Sequence, residues 1–325
     1  MSVERLERID DFIQRHLEAH HFAGAVTVVA RRGKIVQFKA YGMQDAEAGV
    51  PTAKDSIFRI YSMTKPITSV AVMMLFEEGR FLLDDPVANY LPVFKDLEVG
   101  VEEVNPATGE KVFTTVPADR EVTIRDLLRH TSGLTYGFWG TSAVDKMYLE
   151  KGVLSKDGTV QDTVVKLGTI PLKHQPGKVW EYSVSADVLG RFVEVVSGQP
   201  FDEFLEERIF APLGMRDTGF FVPPDKLDRL TTVYTPDEDN TGISPLEPGK
   251  ARDFTKQTRY FSGGGGLVST ASDYYRFAQM LLHGGELDGM RILIRPTDRS
   301  SQRLSFDQVR STKRRPSTSF WQNLK

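Results

Sequence analysis

The sequence predicts an α+β fold. Three observations carry the prediction: an amphipathic helix that runs straight into an antiparallel hairpin, a long middle of short helices and loops, and a change of pattern around Tyr260 that leads into another amphipathic helix.

From Val3 to His20, residues Leu6, Ile9, Phe12, Ile13 and Leu17 recur at helical spacing, so the chain begins as a helix with one apolar face. Ala25 to Ala30 reads as a strand, Arg31 to Lys34 as a turn and Ile35 to Tyr41 as its partner strand. A further strand-like segment, Ile57 to Tyr61, leads into Thr64 to Glu78, a stretch apolar nearly all round that stops at Gly79 and is therefore a buried helix. From Phe81 to about Phe254 the pattern is short helices, at Thr123–Arg129, Ala186–Val196 and Phe201–Phe210, joined by long connections. Two of these, Val99–Asp119 and Pro223–Asp253, exceed ordinary loop lengths and suit the walls of a binding site. Gly263 to Gly266 introduces Leu-Val-Ser-Thr, and Asp273 to Leu282 forms the last amphipathic helix.

With 325 residues and 40% hydrophobic content, the chain can bury a large core in one domain of two lobes or in two packed domains. The absence of cysteine excludes disulfides, thiolate metal sites and a cysteine nucleophile, and the charged N-terminus, which does not read as a signal peptide, makes a reducing, cytoplasmic setting the expectation. The N-terminal residues are charged and no stretch approaches a membrane span, so neither a signal peptide nor a membrane partner is expected. Residues 294–325 carry a net +6, which leaves −9 of the total −3 on the first 293 residues, and that acidic body argues against nucleic acid. The oligomeric state is open.

The chemistry begins at Ser62-Met-Thr-Lys65. Serine and lysine three apart at a helix start share one face, so the amine can reach the hydroxyl. A free serine hydroxyl needs an adjacent base, and lysine serves only if burial or nearby positive charge draws it down from its reference pKa of about 10.4. Backbone N–H groups at the helix start add a positive field where an oxyanion develops. By itself the spacing also fits a serine that caps the helix beside a solvated lysine.

Four further segments follow in order: His130-Thr-Ser-Gly-Leu134, Gln175 to Ser183, Ile209 to Met215 with Asp217-Thr218, and Gly266 to Asp273. Together with Ser62–Lys65 they resemble the serine β-lactamase and penicillin-binding-protein superfamily, in its class C β-lactamase-like branch that includes the family VIII carboxylesterases. The resemblance spans about Val3 to Leu293 and implies an antiparallel sheet flanked by helices and built from both chain ends (residues 1–80 and 255–293), a mostly helical lobe (81–254), and the site between them. It implies Ser62 as the acylated nucleophile, Lys65 as its proton acceptor and Tyr182 as the phenol that relays a proton to the leaving group. Tyr136, Phe138 and Trp139 then line an apolar acyl pocket, with Val184 beside them; His130 is structural. The implied function is hydrolysis of a small-molecule carboxylic ester through an acyl-enzyme, with no cofactor and no metal. Hydrolysis of a β-lactam or D-amino-acid amide, acyl transfer to an alcohol, or a catalytically defective chain are the alternatives.

Two departures from the family pattern shape these expectations. The second motif is Y-x-N in β-lactamases, but Tyr182-Ser183 continues with Val184, which favours the esterase branch. No K-T-G, H-T-G or W-G-G triplet follows Ser272, and the tetraglycine Gly263–Gly266 reads as a loop rather than as its substitute. The basic segment 294–325 shows neither strand nor helix period, resembles a shifted reading frame or another truncation, and predicts an unpaired sheet edge with weak or absent turnover. His16, His20 and His21 are misplaced for H-E-x-x-H, G-x-S-x-G is absent, and Lys313-Arg-Arg315 lacks a basic fold behind it.

Overall fold

The computed structural model describes residues 2–294, except 105, 156, 240 and 248; the basic tail beyond Ile294 lies outside the described residues. The chain begins with helix α1 (Val3–Glu18), strands β1 (Gly24–Arg31), β2 (Lys34–Asp45), β3 (Val50–Pro51) and β4 (Phe58–Arg59), and helix α2 (Thr64–Glu77). Strands β5 (Glu98–Val104) and β6 (Lys111–Pro117) precede helices α3 (Ile124–Arg129), α4 (Ala143–Glu150), α5 (Val160–Leu167), α6 (Ser185–Ser197), α7 (Phe201–Leu205) and α8 (Ala211–Leu213). Strands β7 (Tyr234–Pro236), β8 (Ile243–Pro245) and β9 (Val268–Ser269), helix α9 (Ala271–Leu282), and strands β10 (Glu286–Leu287) and β11 (Met290–Arg291) complete an α+β fold.

Contacts divide the chain into two compact units. The first holds the residues up to Arg59, Leu213–Lys256 and the described residues from Val268 on; the second holds Ile60–Pro212 and Gln257–Leu267. Boundaries drawn from sequence, at 80 and 254, fall elsewhere. Residues 60–80 group with the second unit because α2 packs on α6, and Val222 joins the first because it forms one core with Ile57, Phe254 and Val268.

In the first unit β1 and β2 pair antiparallel through a two-residue turn, with Arg31 opposite Lys34. Arg32 and Gly33 both take positive φ, 52° and 73°, the geometry whose twist matches that of the flanking strands. The apolar face of α1 is only half-buried, and Asp10 ties the helix to β2 by accepting from Lys39 Nζ (2.6 Å), Gln37 Nε2 (3.1 Å) and the Tyr41 hydroxyl. Strand β4 pairs antiparallel with β9 in a separate two-stranded sheet, Phe58 opposite Ser269, which brings an early and a late segment of the chain together.

In the second unit α2 buries Ile67, Ala71 and Val72 completely and ends at Gly79, whose φ of 69° is the left-handed conformation that glycine adopts without steric cost. Phe192 of α6 is wholly buried, edge-on to Phe81 (centroids 4.9 Å) and Tyr90 (5.1 Å). The segment expected as a long loop, Val99–Asp119, holds the β5–β6 hairpin instead, with Glu98 opposite Pro117 and Val104 opposite Lys111. Helices α4 and α5, absent from the sequence expectations, both start at reciprocal capping boxes, Ser142–Asp145 and Thr159–Asp162.

Candidate active site

Every residue of the candidate site belongs to the second unit. The Ile60 amide donates to the Leu267 carbonyl (3.1 Å), and a single 3₁₀ turn, Tyr61–Met63, then leads into α2. Tyr61 sits at φ 41°, a left-handed conformation costly for a residue with a Cβ and frequent at functional turns. The residue at the cap of α2 is Met63, with no side-chain cap, so Ser62 does not serve as a helix cap and its side chain stands exposed. Its Oγ accepts from Lys65 Nζ at 3.2 Å and from the Tyr182 hydroxyl at 2.6 Å. Lys65 Nζ also lies over the Tyr182 ring, 4.5 Å from its centroid.

Tyr182 is held from behind by His130. That residue ends α3 in the left-handed conformation (φ 56°); its carbonyl accepts from the Glu181 amide (2.9 Å) and its Nδ1 from the Ser183 amide (3.3 Å). An Nδ1 that accepts from a backbone amide must be unprotonated, which places any ring proton on Nε2. Burial pushes the imidazole down to about 4, and the Lys65 charge pushes the same way. A folded pKa below the unfolded value of about 6.5 makes the folded state bind fewer protons. Stability is therefore full above about pH 6.5 and lost as pH falls towards 4, by roughly 3 kcal/mol in all. Urea unfolding at pH 7.5 and pH 4.5 should show that loss, and His130→Asn should flatten the slope over this interval.

The residue before Tyr182 is fixed by ion pairs that sequence spacing gave no means to find. Glu181 pairs with Lys173 (2.7 Å) and His174 (3.1 Å), Lys173 also with Asp145 (3.1 Å), and the single Thr135 hydroxyl proton lies within reach of both carboxylates. Burial raises the Glu181 carboxyl, but the bonds from His174 and Lys173 outweigh it and bring it to about 2.

The expected pocket residues are only partly brought together. Tyr136, Phe138 and Trp139 form one aromatic cluster, and Trp139 stacks on Tyr182 with centroids 5.7 Å apart. Phe138 is 49% and Trp139 66% exposed, whereas Tyr136 is largely buried. Val184 is different: its side chain is wholly buried, so it presents nothing to a ligand. Trp180, not singled out in the sequence, also stacks on Tyr182, with centroids 6.3 Å apart.

The tetraglycine is a turn against this site. Three of its N–H groups are engaged: Gly264 donates to Asp187 Oδ1, Gly265 to Ser262 Oγ and Gly266 to the Ser262 carbonyl. What it offers outward is an acceptor, the Gly264 carbonyl, 2.6 Å from Lys65 Nζ. Among the described residues no group of three or more His, Asp or Glu side chains could hold a metal, and no helix is long and apolar enough to cross a membrane.

A fold of this class, with serine, lysine and tyrosine joined at one helix start, is that of the serine β-lactamase-like hydrolases. The sequence matches the Beta-lactamase family over residues 9–321, and the chain belongs to that family. The match runs past Leu293, where the motif-level resemblance ends, into the basic segment. Protein Rv1367c of Mycobacterium tuberculosis is 38% identical over 283 residues, 86% of this chain and 67% of that protein. Esterase EstB of Burkholderia gladioli is 34% identical over 294 residues, 83% of this chain and 68% of the esterase. Among solved structures, "EstCE1, a hydrolase with promiscuous acyltransferase activity" superposes with a TM-score of 0.73 at 26% identity, over 88% of this chain and 74% of its own.

Proposed function

We propose that this chain is a carboxylesterase that works through an acyl-enzyme on Ser62. The observation that carries the reading is the placement of one exposed Ser62 Oγ within hydrogen-bond reach of both Lys65 Nζ (3.2 Å) and the Tyr182 hydroxyl (2.6 Å). In acylation Ser62 Oγ attacks the ester carbon while its proton passes to the Lys65–Tyr182 pair. Tyr182 returns a proton to the departing alkoxide, the alcohol leaves, and a water activated by the same pair releases the acid. The neutral His130 supports Tyr182 without adding a second cation beside Lys65. The exposed aromatic faces of Phe138 and Trp139 suit an apolar acyl group. The similarity to Esterase EstB supports the esterase reading over its relatives.

Acyl transfer to an alcohol is the second reading, favoured by the likeness to EstCE1, whose description names that activity. Discrimination against β-lactams follows from the second motif: with Val184 buried, that position offers no hydrogen bond to an acylamino group, and a site without the partner gains little from it. The expected result is a kcat/KM for p-nitrophenyl butyrate roughly tenfold or more above that for nitrocefin. A higher value for nitrocefin would reverse the assignment, added butanol that diverts the acyl group would favour transfer, and no turnover of either substrate would favour a defective chain.

A further inference from the structure

Lys65 reaches Ser62 only if its ammonium end is held, and its shortest polar contact is neither Ser62 nor Tyr182 but the Gly264 carbonyl at 2.6 Å. A backbone carbonyl in a run of four glycines has no side chains to fix it. The fixing comes from elsewhere. Asp187, in the first turn of α6 and 2% exposed, accepts from Ser262 Oγ at 2.5 Å and from the Gly264 amide at 3.1 Å through the same oxygen. Ser262 Oγ in turn accepts from the Gly265 amide at 3.1 Å, and Thr68 Oγ1 donates to the Gly263 carbonyl at 2.8 Å. One carboxylate therefore sets the peptide on the amide side of Gly264, while the carbonyl of the same residue faces the lysine.

We propose that Asp187 is a positioning residue for this site: through Ser262 and the Gly264 peptide it aims the carbonyl that holds Lys65 against Ser62, and its carboxylate supplies a buried negative charge near the ammonium. This rests on the reading of Ser62 as nucleophile and Lys65 as its base. A buried carboxylate is costly unless hydrogen-bonded and near positive charge. Burial raises the Asp187 carboxyl, while the Ser262 bond, the Lys65 charge and the Gly264 amide oppose the rise. Other titratable groups around this cluster are the Tyr136 and Tyr182 phenols, Tyr260 beyond Tyr136, and the neutral His130 against the Tyr182 ring. Asp187 is the carboxylate among them. Its removal thus has two separable effects. The carbonyl loses its aim, and the ammonium loses a stabilising charge.

The test uses the full chain and reads the rate at which a fluorophosphonate labels Ser62, across pH, beside ester turnover and thermal unfolding. Asp187→Ala should label about 10²-fold more slowly, the loss typical of a misplaced catalytic group, with kcat reduced and KM little changed. Asp187→Asn keeps an acceptor without the charge. It should label faster than Asp187→Ala, with the half-maximal pH of labelling displaced downwards from the parent, a shift that a merely structural aspartate would not produce. A folded Asp187→Ala that labels at the parent rate across pH overturns the proposal. Should that variant fail to fold, Ser262→Ala carries the test, since it removes one hydroxyl from the same chain of contacts; slower labelling supports the proposal and parent-like labelling overturns it. A parent protein that labels on Ser62 but hydrolyses no ester would sink the carboxylesterase reading while leaving the labelling comparison decisive for Asp187.

Discussion

Ser62→Ala should abolish ester turnover, with kcat falling on the order of 10⁶-fold if the site behaves like other nucleophile–base units. The more informative expectation concerns the combinations. Ser62 Oγ receives bonds from both Lys65 and Tyr182, so on the proposed mechanism the three groups share one proton path and none has an independent role to lose. Lys65→Ala alone should cost nearly as much as Ser62→Ala, and Ser62→Ala with Lys65→Ala or Tyr182→Phe should cost little beyond the serine alone. Purified variants assayed with p-nitrophenyl butyrate under saturating conditions measure this directly. Additive losses would mean that the groups act in separate steps. A Tyr182→Phe protein that kept most of the rate would remove the phenol from the proton path and leave Lys65 as the sole partner of Ser62.

The parts of this site that are legible in the sequence are those fixed by local geometry. Ser62 and Lys65 lie three residues apart, and helical spacing alone brings them together; α6 and α9 announce themselves through apolar period. Tyr182, 120 residues from Ser62, has no such local signature and was placed only by resemblance to a family. The anchors behind it are invisible in the chain for the same reason. Asp187 meets the Gly264 amide across 77 positions, and nothing in Y-S-V-S-A-D foretells a glycine turn as its partner. Val184 shows the converse: its place two residues after the tyrosine suggested a ligand contact, but at the cap of α6 its side chain is buried in the core. The β5–β6 hairpin escaped because Val104, Val112 and Val116 remain exposed and Val99 is its one buried residue, too little for period-two patterning to reveal.

Gly264→Ala should damage the site although it leaves every proposed catalytic side chain in place. A Cβ at Gly264 would lie 2.5 Å from Asp187 Oδ2 and 3.0 Å from the Tyr136 hydroxyl, both held in a buried environment, so something must move. The element free to move is the turn itself, and moving it withdraws the carbonyl from Lys65 Nζ. Overpacking of this kind costs about 1–3 kcal/mol of stability, and a displacement near 1 Å of a catalytic group costs about 10²-fold in rate. Gly265→Ala is the matched control. Its Cβ would meet nothing closer than the Tyr61 backbone at 3.7 Å, an ordinary contact, and it carries no strained φ. Urea unfolding and fluorophosphonate labelling of the two variants side by side should therefore separate them, with Gly264→Ala less stable and slow to label and Gly265→Ala close to the parent in both. If the two variants behave alike, steric contact at Gly264 does not control the position of Lys65, and the turn matters through its flexibility rather than through the carbonyl it presents.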